Sequence, residues 1–147
     1  MVSLVDVNLL IALAWPSHIH HDAAHAWFSR SAGFGWATCP IIQSGFVRIS
    51  SNPSIIPNAV SPREALLLLE RIVAHQGHIF WPDDIALVGS TPVPKELIAG
   101  HRQVTDAYLL GLALSKRGKL ATLDRKIGSL LPPHSPFRQA LEILPVG

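Results

Sequence analysis

Short apolar runs alternate with stretches of helical spacing along this chain, and that alternation limits the fold more than any other feature. Val2–Val5, Phe34–Ala37, His78–Trp81, Lys119–Leu123 and Leu141–Leu144 read as buried strands, each too short for a stable helix. Between them, Asn8–Ala14 reads as a short helix that Pro16 ends, and Ile19–Ser31 carries Ala23, Ala24, Trp27 and Phe28 at helical spacing before Gly33 and Gly35 break it. Pro40 starts a helix through about Ser50, closed by Asn52-Pro53. Ser61-Pro62-Arg63-Glu64 spells a capping box with proline at the first helical position, opening a helix to about Gln76 that Gly77 stops. Asp84–Val88 reads as a short helix, and Ser90–Gly100 as a loop with at most one or two helical turns. Thr105-Asp106 opens a strong helix, which Lys116-Arg117-Gly118 ends with two cations and a glycine suited to a left-handed cap. Strands alternating with helices imply an α/β fold whose mainly parallel sheet is covered on both faces.

At 147 residues with 48% hydrophobic and 15% charged, the chain can bury a substantial core, and residues 1–147 are expected to form a single domain. The low charge fraction and positive mean hydropathy leave more apolar surface than a solitary domain needs, so a protein partner or self-association is expected. Part of that surface is expected along Leu66-Leu67-Leu68-Leu69, which spreads over more than one helix face. A net charge of +2 is too small to identify nucleic acid as a partner by itself. Cys39 is the single cysteine, which excludes an intrachain disulfide and a cysteine zinc cluster. Asp6 and Asn8 interrupt the N-terminal apolar stretch, and no run is long enough to span a bilayer, so a cytoplasmic location without membrane attachment is expected.

Three acids stand at element ends: Asp6 after the first strand, Asp106 in the first turn of a helix, and Asp124 after Lys119–Leu123. In an open α/β sheet that rim is where ligands bind. Hydrolysis of a phosphodiester needs an activated water and a neutralised anion, which Mg²⁺ or Mn²⁺ provides from a few carboxylates and several waters. Asn8 and Thr122, each two residues from an acid, are placed to hydrogen-bond metal-bound water or a carboxylate and fix its rotamer. Each acid also has a purely structural reading. Asp106 suits the helix dipole and lies four residues from Arg102, while Asp6 and Asp124 suit helix caps; it is their joint placement that points to a site.

Other constellations are weaker. His21 and His25 lie one helical turn apart beside His18 and His20, the pattern of a zinc or copper site, but Asp22 points off their face. His75 and His78 straddle a helix end. Arg48, Arg102, Arg125 and Lys126 are the cations best placed to line a phosphate path, whereas Lys116 and Arg117 complement a helix C-terminus. The chain lacks a P-loop and a Gly-x-Gly-x-x-Gly element. It also lacks the second first-strand acid and the late lysine of an aspartate phosphotransferase or receiver fold.

Leu4-Val5-Asp6-Val7-Asn8, Thr38-Cys39-Pro40 leading to Gly45-Phe46-Val47-Arg48, Thr105-Asp106-Ala107-Tyr108-Leu109, and Leu120-Ala121-Thr122-Leu123-Asp124 together resemble a PIN domain. Within that superfamily the chain is similar to the VapC-type ribonuclease toxins of bacterial toxin–antitoxin modules, and His20-His21 followed by Ala24 and Trp27 shares that likeness. The resemblance implies a three-layer α/β/α sandwich and a Mg²⁺ or Mn²⁺ site. It further implies endonucleolytic cleavage of RNA by the toxin of a type II system, a VapB-like antitoxin partner and a homodimer. Asp6, Asp106 and Asp124 match the family's metal-site acids, and Thr122 its usual hydroxyl residue. Gln43 stands where the family has glutamate, the fourth member of the catalytic set. Two unit charges about 4 Å apart interact by roughly 4 kcal/mol at an effective dielectric of about 20, so a missing acid is expected to weaken divalent-ion binding. Three explanations stand open: a natural low-activity form, an engineered substitution, or a site that works with three acids. An attenuated ribonuclease is the leading expectation, with Gln43 orienting water or substrate; a catalytically weak PIN domain that binds antitoxin or RNA is the alternative.

Overall fold

The computed structural model describes residues 1–146. Its strands are β1 (Ser3–Val5), β2 (Trp36–Thr38), β3 (His78–Phe80), β4 (Lys119–Thr122) and β5 (Leu141–Ile143). The helices are α1 (Val7–Ala14), α2 (His21–Ser31), α3 (Pro40–Ser50), α4 (Pro62–Val73), α5 (Val104–Ser115) and α6 (Lys126–Leu130). The sheet runs β3-β2-β1-β4-β5 with every neighbouring pair parallel. Ser3 lies in register with Trp36 on one side and Lys119 on the other, and Leu120 with Leu141. The strands are short because they are buried through their length: β1 and β2 are fully buried, as is β4 after Lys119. Helices cover the sheet in the α/β/α arrangement the alternation predicts.

The chain moves outward from β1 to β2 and β3, then returns to place β4 against the other side of β1. Strand order therefore reverses between β1 and β4, and the crevice beyond their C-terminal ends is the expected ligand position in such a sheet. Asp6 and the segment Leu123-Asp124 lie there. Helix α5 buries every residue from Ala107 to Ala113, so it is packed all round, as an apolar helix must be. At Gly111 an added Cβ would come 2.8 Å from Val93 Cα and 3.0 Å from Val93 N, so this glycine lets the 82–100 loop lie on the helix backbone.

Most boundaries fall where spacing places them, and the capping box of α4 is complete in both directions. Four local expectations are corrected. Asp84–Val88 is not helical: the segment makes bends, Leu87 and Val88 are exposed, and without a buried face so short a helix does not persist. Helix α4 stops at Val73 rather than Gln76, and Gly77 takes a φ of 90° before β3. Helix α2 starts at His21 rather than Ile19, which is exposed. After α5 the left-handed residue is Arg117, with φ 56°, not Gly118. Gly118 serves packing instead, since a Cβ there would fall 2.6 Å from the Val2 carbonyl oxygen and 2.7 Å from the Trp81 ring. On α4, Ala65 and Leu69 are buried, while Leu66 and Leu67 are more than half exposed.

Candidate metal centre

Asp6 leaves β1 with extended backbone angles and becomes the N-cap of α1, its Oδ1 accepting the Val7 amide at 2.8 Å. Its Oδ2 accepts the Thr122 hydroxyl at 2.7 Å. Both oxygens are thus held, and the residue is 6% exposed. Burial pushes its carboxyl above the usual range, hydrogen bonds from Thr122 and Val7 oppose the shift, and the charge of Asp124 adds to it.

Thr122 bonds a carboxylate as the sequence suggests, whereas Asn8 acts through Thr122 and the chain beside it. Asn8 Nδ2 donates to Thr122 Oγ1 at 3.2 Å, and Asn8 Oδ1 accepts the Leu123 amide at 3.2 Å. The Asp124 amide donates to Thr122 Oγ1 at 3.1 Å. Thr122 therefore accepts from two groups, and its single hydrogen is directed to Asp6. Asp124 Oδ1 accepts the Lys126 amide at 2.9 Å, capping the start of α6. The structural readings of Asp6 and Asp124 as caps are thus correct, and they coexist with the site.

Asp106 sits in the first turn of α5, and no protein donor reaches its carboxylate among the described residues. Burial, then the charges of Asp6 and Asp124, push it up to about 6. It shares a cleft with Asp124, Arg102, Gln103 and Lys126. Arg102 makes no ion pair with Asp106 among the described residues, where the salt bridges are Lys116–Asp84 at 2.7 Å and Lys119–Glu142 at 2.8 Å.

Mutual repulsion among hard oxygen donors, none of them in an ion pair among the described residues, is chemistry that suits a divalent cation, and the donor types of Asp6, Asp106 and Asp124 are those Mg²⁺ or Mn²⁺ takes. Among the described residues no three His, Cys, Asp or Glu side chains stand close enough together to hold a metal ion as they are placed. Asp106 and Asp124 line one cleft, and the charge of Asp6 reaches Asp106; Mg²⁺, which keeps several of its waters, asks for fewer direct protein ligands than a zinc cage.

Gln43 is elsewhere. Its Nε2 donates to Thr38 Oγ1 at 3.1 Å, and the residue lines a groove between α3 and α4 rather than the cleft of Asp106 and Asp124. Arg48 lines the same groove. Arg125 is not among the residues lining the cleft of Asp106 and Asp124, and its guanidinium donates to the Val146 carbonyl. The histidine pair is used structurally, with His21 Nδ1 donating to Ala12 O at 2.8 Å and His25 Nε2 to Leu13 O at 3.0 Å, two carbonyls in the last turn of α1. His18 Nδ1 accepts the His20 amide at 3.0 Å.

Asp83 was not legible as a site-edge residue. Its Oδ2 accepts the Ile41 amide at 3.1 Å, capping α3, whose own N-cap Cys39 makes no side-chain bond. Burial pushes the Cys39 thiol up to about 12, and Asp83 adds to the shift; burial followed by Asp83 also raises the Tyr108 hydroxyl. The signal was the missing local cap at Cys39-Pro40, which demands a distant acceptor without naming it.

No family model matches the chain. It is similar to the ribonuclease VapC38 of Mycobacterium tuberculosis (strain ATCC 25618 / H37Rv), 47% identical over 129 residues covering 88% of this chain and 89% of that protein. Ribonuclease VapC39 of the same strain is 44% identical over 84% of this chain and 89% of its own length. Ribonuclease VapC44, also of that strain, is 38% identical over 90% and 93%. Among solved structures, the fold is similar to a chain of VapBC2 from Rickettsia felis bound to a DNA fragment from its promoter, with a TM-score of 0.62, 12% identity, and coverage of 97% of this chain and 98% of that one.

Proposed function

Because the chain belongs to the VapC ribonuclease family, as its identities of 38% to 47% with three members establish, we propose that it is the toxin ribonuclease of a toxin–antitoxin module and cuts RNA endonucleolytically. The observation that carries this reading is the gathering of Asp6 and Asp124 beyond β1 and β4, with Asp106 close enough for both charges to raise it. Asp6, Asp106 and Asp124 would hold Mg²⁺ or Mn²⁺. Such an ion supplies Lewis acidity and makes water a nucleophile near neutral pH.

The chain's own residues supply orientation. Thr122 and the Val7 amide fix the two Asp6 oxygens, and Asn8 directs the Thr122 hydrogen. Arg102 and Lys126, in the cleft with Asp106 and Asp124, attract the RNA phosphates. The partners of this reading are RNA, a VapB-like antitoxin and a second copy of the chain, and the exposed Leu67 supports a protein interface. Among the described residues no helix is long and apolar enough to cross a membrane.

Cleavage of labelled RNA with Mn²⁺, with excess chelator, and by Asp106→Asn tests the proposal. Metal-dependent cutting that disappears in the variant is expected. RNA that the wild type binds but never cuts would instead establish the weakly catalytic binding module.

A further inference from the structure

Gln43 occupies the position at which a fourth acid was expected, but its surroundings are those of a ligand-reading group. We infer that the α3–α4 groove is a nucleotide subsite for single-stranded RNA, in which Gln43 contacts the base and Arg48 the phosphate; this rests on the ribonuclease reading above.

The Gln43 amide is held from behind. Its Nε2 donates to Thr38 Oγ1 at 3.1 Å, and that fully buried hydroxyl lies 2.7 Å from His78 Nε2. Thr38 accepts from the amide, so its own hydrogen is free for the imidazole. Burial lowers the proton affinity of His78, which favours the neutral ring that accepts. The relay fixes the amide plane while Gln43 Oε1 has no partner among the described residues. A glutamate could only accept from Thr38 and would reverse the relay, so the amide has a reason of its own to be there.

The groove's chemistry fits a polyanion with apolar bases. Arg48 is its one charged residue, has no ion-pair partner among the described residues, and stands between apolar walls that include Val47, Leu66 and Leu69. Pro40, Ser44 and Arg48 also line an adjoining trench that reaches Val7 and Thr105, the chain neighbours of Asp6 and Asp106. A strand whose scissile bond lies at the acids therefore has a continuous route into the groove. The one acid in that trench, Asp83, is turned onto the Ile41 amide. A glutamine carbonyl paired with its remaining amide hydrogen matches adenine N6 and N7, so adenine is the expected base.

The test is fluorescence anisotropy of labelled oligoadenylate, oligocytidylate and oligouridylate in chelator, which keeps binding separate from cutting. Wild type should prefer oligoadenylate by on the order of tenfold, and Gln43→Leu should remove the preference. Arg48→Gln should weaken all three and lower the slope of log affinity against log salt by about 0.7. Leu66→Glu alters an exposed side chain, so its fold is secure, and it should weaken binding through charge repulsion. Mn²⁺ calorimetry on the same variants should be unchanged. If all three variants bind like wild type while Lys126→Gln weakens binding, the groove is not on the RNA path, yet the ribonuclease reading stands. Variants with intact RNA binding that turn a dimer into a monomer by light scattering would make the groove a protein interface and overturn the inference. If wild type binds neither RNA nor Mn²⁺, the ribonuclease reading falls and the inference with it.

Discussion

The Thr122 hydroxyl donates to Asp6 Oδ2 at 2.7 Å, joining the end of β4 to the end of β1 across 116 positions of sequence. The bond aims a buried carboxylate and lessens the penalty of burying it. Thr122→Val keeps the shape and removes the donor, which should cost about 2 kcal/mol in urea denaturation and weaken Mn²⁺ binding. Thr122→Ser should retain most of both. Equal effects from the two substitutions would show that the hydroxyl does not orient Asp6.

The acids also set a pH dependence. Asp106 has an ordinary value of 3.8 and stands at about 6 in the folded, metal-free chain, so folding favours its protonated form. Its stabilising contribution is complete below about 3.8 and is lost as pH climbs through about 6. Asp6 is shifted in the same direction. In chelator, the stability of wild type relative to Asp106→Asn should therefore fall between about pH 4 and about pH 7. A flat or rising difference by denaturant titration would contradict the environment described for Asp106. His18 and His78 are lowered by burial and work in the opposite sense, but they cancel in the comparison.

Two glycines should respond oppositely to alanine. Gly111→Ala places a methyl 2.8 Å from Val93 Cα, and the backbone must shift, for a cost of about 1–3 kcal/mol before the gain in helix propensity. Gly33→Ala meets nothing within 4 Å and should be neutral or stabilising by up to about 1 kcal/mol. Thermal melts would show whether the loop truly lies on α5, since similar melting points for the two variants would not fit.

The cations around the acids should separate by partner. Arg102 and Lys126 line the cleft without an ion pair among the described residues, so each neutral substitution to glutamine should lower RNA affinity and reduce the salt slope by about 0.7. Arg125→Gln should do less, because its guanidinium is held by the Val146 carbonyl. Salt titrations of RNA binding in chelator decide this, and a larger loss from Arg125→Gln would reverse the assignment.

Periodicity and punctuation by themselves determined the order of strands and helices, and with it the rim on which Asp6 and Asp124 stand. A buried strand is a short apolar run, and an acid that ends it is at the sheet edge whatever the rest of the chain does. The capping box of α4 and the Thr122 bond to a carboxylate were legible for a similar reason, since donor and acceptor types are set by residue identity and their places by element ends, whereas the Asn8–Thr122 pairing was not. Tertiary structure alone decided where longer side chains point. Gln43 turned to Thr38 and the α3–α4 groove, and Arg125 to the C-terminal backbone, because the direction of a side chain depends on which helix packs against its own. The cap that Asp83 gives α3 and the close approach of Val93 to Gly111 were hidden likewise. Both pair groups far apart in sequence, and local spacing carries no information about such contacts.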